Sequence, residues 1–350
     1  MFKKRSSSSQ AAVVGLDLDP GHIAAAEVTV NGSLSLNRGA VAPLRPGILR
    51  DGEVADVPAL AEALKAFFAE HELPTHVRLG IANQRIVVRT LDLPPLDDEK
   101  ALAAAVKVQA PDHIPMPMDE AVIDWQSLGT VQGPAGKPQT RVVVVAVRRE
   151  MVDRLVGAAR EAGLTLEGID LSAFGMVRAL AGGQQREGAT LYVSVGGLTN
   201  VAVANASGCL FTRAASGGLD AMVNTLSDRR GLTAEHARQW LGHVGLHAPL
   251  EGVQGDEDLV AAARTVLEEG VHQLADTVRN SLNFYRMQES AEQVEHGMLT
   301  GAAVAIPGFV EALSEQLRLP LEPAVVDTED EEADASRLTV AAGLAVEEIS

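Results

Sequence analysis

The chain has 350 residues, 46% of them hydrophobic and 22% charged, which is long enough for two domains or one domain of two lobes and too apolar for a disordered chain. A net charge of −18 argues against a nucleic-acid partner, because phosphate backbones are held through Lys and Arg. A single cysteine, Cys209, excludes a disulfide framework and fits a reducing compartment, and no apolar run reaches the roughly 20 residues that span a bilayer. Aromatic residues make up only 3% of the chain, so the core must be Val, Leu and Ala, which suits buried strands. Residues 1–10, MFKKRSSSSQ, read as a flexible tail. Asp17 and Asp19 interrupt the apolar stretch that a secretory signal would need, and Lys3, Lys4 and Arg5 offer anionic lipid only a weak contact.

Residues 13–28, VVGLDLDPGHIAAAEV, read as strand, tight turn, strand: two apolar runs flank Asp17, Asp19, Pro20 and Gly21. Residues 33–41 continue as a third strand, and 47–57 read as a loop rich in Gly, Pro and Asp. Asp56 caps a helix over 57–70, where Leu60, Leu64, Phe67 and Phe68 recur at helical spacing. Residues 76–82 and 85–91 read as two short strands. This β-β-β-α-β order is the opening of the ribonuclease-H-like layout used by actin and sugar kinases. Asp97 and Asp98 then open a helix over 98–110, which PDHIPMP at 111–117 stops. Strands follow at 122–128 and 140–148, a helix at 149–162 and a strand at 165–170, an αββαβ block that reads as an inserted small subdomain.

The opening pattern then returns. Residues 191–205, LYVSVGGLTNVAVAN, form a second hairpin with Gly196-Gly197 at its turn, and 209–214 complete a second meander in which Cys209 reads as core. Helices are expected over 219–228, 233–240 with Thr233 as cap, 259–287 and 308–317, with a short strand at 298–300, an acidic loop at 328–334 and a closing helix over 338–347. One unit appearing once in each half predicts an α/β fold of two lobes. The tail is 1–10, the first lobe 11–93 with a return at 168–189, the inserted subdomain 94–167, and the second lobe 190–350. If the halves face each other, the two glycine turns face one cleft, and glycine turns let backbone N–H groups approach phosphate oxygens.

Several phrases in order make the chain resemble the PilM family, the actin-like proteins of type IV pilus assembly related to FtsA. They are Val14-Gly15-Leu16-Asp17, Arg89-Thr90-Leu91-Asp92-Leu93-Pro94, His113-Ile114-Pro115-Met116-Pro117, Asp124-Trp125-Gln126, Phe211-Thr212-Arg213 ahead of Gly217-Gly218, Leu299-Thr300-Gly301, and Ala342-Gly343-Leu344-Ala345. The resemblance implies an actin-like fold of four subdomains, in which the inserted block replaces the usual small one. It implies a cytoplasmic chain held at the inner face of the cytoplasmic membrane by a partner, the short cytoplasmic N-terminal peptide of a PilN-like inner-membrane protein, and contact with other motor and platform components of the pilus. Arg89, Pro94, Ile114 and Pro115 are the expected peptide groove.

The resemblance also implies ATP between the lobes, with Mg²⁺ held through water by Asp17. The corresponding residues here are Asp17, Gly21, Gly196, Gly197, Thr199, Asn200, Gly217, Gly301 and Ala302. Each element departs from the family pattern. Asp19 stands where the first turn has glycine, and Pro20 brings no N–H donor. Ala24 stands where a basic residue is common, Ser194-Val195-Gly196 replaces Asp-x-Gly, and Gly301-Ala302 replaces Gly-Gly. A carboxylate facing a triphosphate repels it unless a metal lies between. The turns therefore read as hairpins first, retained ATP binding stays the alternative, and hydrolysis is disfavoured. The expected function is a scaffold for the partner peptide; the rival is an ATPase whose nucleotide state gates that binding. A sugar-kinase-like activity lacks both its Asp-x-Gly turns and a base. Three other patterns carry no chemistry. GPAGKP at 133–138 lacks phosphate-loop spacing, His243 and His247 are flanked by Gly242 and Gly245, and Glu329, Asp330, Glu331 and Glu332 form a solvated charge run.

Overall fold

The computed structural model describes residues 13–31, 33–96, 98–133, 136–181, 188–247, 249–288, 291–330 and 332–346. The tail over 1–10, Asp97, Pro134 and Ala135 of the expected loop, Glu331 of the acidic run and the last residue of the expected closing helix, Glu347, lie outside the described residues.

An apolar run with a Pro-Gly turn makes the first hairpin. β1 (Val14–Asp19) is buried on both faces and pairs antiparallel with β2 (His22–Val30), closing on Asp19 opposite His22. β3 (Leu34–Pro43) completes the meander. The stretch expected to be loop contains a small hairpin, β4 (Leu49–Arg50) and β5 (Glu53–Val54). Its turn is Asp51-Gly52, with φ of 49° and 79°, the left-handed pair that a tight hairpin demands and that Asp-Gly supplies. α1 (Val57–Glu70) starts where the side chain of Asp56 accepts from the Ala59 amide, and buries Leu60, Leu64, Phe67 and Phe68. β6 (His76–Ile81) then runs parallel to β1.

The insertion keeps the expected αββαβ order, but its elements divide between two sheets. β7 (Val87–Leu93) leaves the first sheet and pairs with β9 (Pro138–Arg148), which also pairs with β8 (Ala121–Gln132). α2 (Glu99–His113) covers this three-stranded sheet. It runs on through Pro111, since Leu102, Val106, Ala110 and Ile114 keep one stripe buried and that packing outweighs the missing amide. α3 (Arg149–Glu161) packs against the first-lobe core, and β10 (Thr165–Leu171) joins the first sheet beside β6. α4 (Ser172–Ala181) follows at once.

The second half repeats the plan. β11 (Ala189–Val195), β12 (Leu198–Asn205) and β13 (Gly208–Ser216) form the meander. α5 (Leu219–Arg230), α6 (Ala234–Val244) and the long α7 (Glu257–Arg286) pack on it with one continuous core. β14 (Val294–Thr300), α8 (Phe309–Leu317), β15 (Leu321–Pro323), β16 (Asp327–Thr328) and α9 (Ala335–Leu344) close the chain. The first sheet runs β10-β6-β1-β2-β3-β16 and the second β13-β12-β11-β14-β15. Each has a meander on one side of its first strand and two parallel strands on the other, so the duplication read from the two hairpins holds at the level of topology. β16 is an addition: the tail end of the second half pairs with β3 of the first.

α4 and α9 join the halves. An added Cβ on Gly343 of α9 would stand 1.8 Å from the Gly175 carbonyl oxygen of α4, and one on Gly15 of β1 would stand 1.8 Å from the Ala341 carbonyl oxygen. Only glycine lets backbone meet backbone so closely. Gly343→Ala is therefore expected to destabilise the chain by about 1–3 kcal/mol through overpacking, despite alanine's better helix propensity. The midpoint of urea unfolding is the measurement, and an unchanged midpoint would show that the crossing has slack.

Candidate functional site

The β1–β2 and β11–β12 turns do face one another, as the duplication predicts. What lies between them is a set of the chain's own side chains. Asp19 reaches from the first lobe, and its Oδ2 accepts the Gly197 amide of the second lobe at 3.0 Å. Asp220, in the first turn of α5, approaches from the other side. An added Cβ on Gly21 would meet Asp220 Oδ2 at 1.9 Å, and one on Gly197 would meet Asp19 Oδ1 at 2.0 Å and Asp220 Oδ2 at 2.9 Å. Gly21 and Gly197 are thus required by carboxylates crowding against them. Arg238 of α6 donates to Asp220 Oδ1 at 2.8 Å. Asp19 Oδ1 and Asp220 Oδ2 are buried with no hydrogen-bond partner.

The remaining expected residues are placed less centrally. Asp17 is buried on β1, and its Oδ1 accepts the Ser172 hydroxyl at 2.7 Å. Gly196 closes its own hairpin, donating to the Leu198 carbonyl at 3.0 Å. Thr199 spends its hydroxyl on the Gly217 carbonyl at 2.6 Å. Asn200 lines a small space between the lobes with Ile81 and Leu171. Gly301, with φ of 88°, donates its amide to Ser336 at 3.2 Å, and Ala302 is buried beside it. The third glycine element thus ties β14 to the closing helix.

These residues do not fit a triphosphate with its metal. The Gly197 amide and Arg238 are both spent on carboxylates, Pro20 has no amide to offer, and orphaned acceptor oxygens face the space between the turns. Among the described residues, no group of three or more His, Cys, Asp or Glu side chains is arranged to hold a metal.

The electrostatics follow from burial. Burial raises Asp17 to about 6, against the opposing Ser172 hydrogen bond. Burial, then the neighbouring Asp17 and Asp220, push Asp19 well above the ordinary carboxylate range, against the Gly197 and Leu198 amides. Burial, with Arg337 nearby, lowers His22 to about 4. Asp220, Arg238 and His22 were not singled out from the sequence. An acid in the first turn after Gly217-Gly218 is a legible signal for Asp220, but nothing local marks Arg238, which sits on a separate helix. Asp17 yields a test. Its folded value lies above its ordinary 3.8, so its contribution to stability is full below that pH and lost as pH rises through about 6. Asp17→Asn keeps the acceptor for Ser172 and removes the charge. It is expected to be the more stable chain at pH 8 by on the order of 3 kcal/mol and to gain nothing at pH 3.5, read from denaturant unfolding at the two pH values.

A second concavity lies between the inserted sheet and the second lobe. β7 and β13 are both edge strands, and they touch where Thr90 Oγ1 donates to the Leu210 carbonyl at 3.4 Å. Beside that contact opens a groove of about 620 Å³ lined by Arg89, Asp92, Arg141, Phe211 and Phe284, among others. Arg141 holds Asp92 through two bonds at 2.7 and 2.8 Å, and Phe284 is 44% exposed. Of the residues expected to receive a peptide, Arg89 lines this groove. Pro94 and Pro115 are exposed and do not line it. Ile114 is buried in the core under α2, so its side chain holds the inserted sheet together. The other patterns are structural: His243 Nε2 bonds the Gln254 carbonyl at 2.7 Å, Gly133 closes a loop onto Lys137 at 2.8 Å, and burial raises the Cys209 thiol to about 12.

A family model described as type IV pilus assembly protein PilM matches residues 15–349. Among solved structures, the chain is similar to a PilM-PilN type IV pilus biogenesis complex at 24% identity and a TM-score of 0.76, with 96% of this chain and 98% of that chain covered. Further likenesses are the ethanolamine utilization protein EutJ from Carboxydothermus hydrogenoformans, at 15% identity and a TM-score of 0.53 over 95% and 88% of the two chains, and MreB5 of Spiroplasma citri bound to ADP, at 13% and 0.54 over 95% and 94%. Together they show the actin-like fold.

Proposed function

The chain belongs to the type IV pilus assembly protein PilM family, and we propose that it serves this machine as a docking adaptor, receiving an extended cytoplasmic segment of a PilN-like inner-membrane protein in the groove between the inserted sheet and the second lobe. The observation that carries this reading is the groove itself. It is open and bordered by two edge strands, β7 and β13, and a sheet edge is where an extended segment can add. Exposed Phe284, stacked near Phe211 with ring centroids 6.0 Å apart, supplies an apolar anchor, while Arg89 supplies a cation. The likeness to a PilM-PilN type IV pilus biogenesis complex supports the choice of partner. Through that partner the chain would stand at the inner face of the cytoplasmic membrane, and the pilus motor and platform would be its further neighbours.

Nucleotide gating is the lesser reading. It draws support from the fold, since a likeness is bound to ADP, and is opposed by Asp19 across the Gly197 amide. Two measurements separate the readings. Calorimetry with a synthetic peptide of the partner's cytoplasmic N-terminal segment should show binding without nucleotide, weakened tenfold or more by Phe284→Ala. No binding, or binding indifferent to Phe284, sinks the docking site. Millimolar Mg-ATP should leave the thermal midpoint unmoved. Ligand at a hundred times its dissociation constant stabilises by about 2.7 kcal/mol, so a clear upward shift would favour gating.

A further inference from the structure

β7 borders the inserted sheet and β13 borders the second sheet, and the two edges run side by side. Gln84, just ahead of β7, donates its side-chain amide to the Ser216 hydroxyl at the end of β13. Six residues further along, Thr90 donates to the Leu210 carbonyl, six residues back along β13. The two segments are therefore antiparallel and in one register. Ile86 and Val88 line a small space between them with Thr212 and Ala214. At Thr90 the groove of Arg89, Phe211 and Phe284 opens.

The Ser216 end of this seam has a fastener. The Ser216 hydroxyl, which accepts from Gln84, donates its own proton to Asp51 Oδ1 at 2.8 Å. Asp51 heads the turn of the β4–β5 hairpin, and that hairpin is tied down on its own side. The buried Asn83 side chain donates to the Asp51 carbonyl at 2.6 Å. An added Cβ on Gly52 would stand 1.8 Å from the Ala82 carbonyl oxygen. Arg154 of α3 donates to the Val54 and Ala55 carbonyls at 2.7 and 3.0 Å.

We propose that Asp51 and Ser216 are positioning residues of the docking groove, a role that rests on the docking reading of that groove: the β4–β5 hairpin clips the end of β13 to the first lobe, and the clip sets how far β13 stands from β7 where the peptide enters. At the groove end the walls are joined by the Thr90 bond of 3.4 Å, longer than an ordinary hydroxyl bond, so the clip is the firmer tie. β13 can carry the spacing along its length, because its ladder with β12 keeps one register from Ser216 to Phe211. A groove that has the binding width only part of the time binds with an affinity lowered by that fraction.

The test uses the full chain and three substitutions. Asp51→Gly keeps the turn, since glycine adopts a φ of 49° freely, and removes the acceptor. Asp51→Asn keeps both the turn and an acceptor oxygen. Ser216→Ala removes the hydroxyl. One reading is affinity for a synthetic peptide of the partner's cytoplasmic N-terminal segment. The other, taken without peptide, is the rate at which a thiol reagent labels Cys209. This one cysteine is buried at the far end of β13 from Ser216, among Met176 and Leu180 of α4. Its labelling reports β13 moving off the first lobe, which a merely local role for Asp51 would leave unchanged. Asp51→Gly and Ser216→Ala should each bind peptide about threefold to tenfold more weakly and label faster by a similar factor. The double variant should be no worse than either single, and Asp51→Asn should match the parent. Parental affinity or parental labelling in both Asp51→Gly and Ser216→Ala overturns the clip. So does Asp51→Asn behaving like Asp51→Gly, or an additive double variant. A parent that binds no peptide sinks the docking reading instead, and Cys209 labelling then decides alone whether the clip holds β13.

Discussion

Where α9 crosses α4, the Cα of Gly343 rests against the Gly175 carbonyl, and on its other flank α9 meets β1 through Gly15. Both approaches are too close for any side chain. They set the last helix into a slot between the first strand of one lobe and the first helix leading to the other. Leu344 and Val340 fill the rest of that junction with Met176, Val177 and Tyr192. The positions of both sheets are therefore referred to one rigid helix pair. The two hairpin turns are aimed at each other because their strands are anchored there, and the cleft between them inherits its width from the same crossing.

Given that width, the identity of the residues at the turns decides what the cleft contains. Gly21, Gly196 and Gly197 clear space, as glycine turns do, but the space is taken by Asp19 and Asp220. Glycine in this chain makes room for the chain's own carboxylates. The electrostatic result is a neutralised, inward-looking site: Arg238 answers Asp220, burial keeps His22 uncharged, and Asp17 turns to Ser172. The groove bordered by β7 and β13 is different in kind. It is open, has an aromatic ring at its wall, and is bordered by two edge strands.

Much of this was legible in the sequence because it depends on local pattern. The two hairpins, the helix capped by Asp56 and the long amphipathic α7 follow from period and punctuation, and topology follows once the repeat is seen. The β4–β5 hairpin was hidden because two-residue strands carry no period; only Asp51-Gly52 marks it. The passage of α2 through Pro111 was hidden because Ile114, three residues later, repays the lost bond from the tertiary core. β7 reads as a continuation of the first lobe by order, yet its partner lies some fifty residues on, and pairing at that distance leaves no local mark. At the site, Asp19 and Pro20 were visible as departures from a phosphate-binding turn. That Asp19 would cross to Gly197, and that Arg238 would come from another helix to neutralise Asp220, are properties of three-dimensional meeting and have no sequence signature.

The bond from the Gly197 amide to Asp19 joins residues 178 apart in sequence, so the two turns can part only if that bond is given up. Whatever enters between the lobes must therefore compete with a side chain tethered at the spot, whose local concentration does not fall when the protein is diluted.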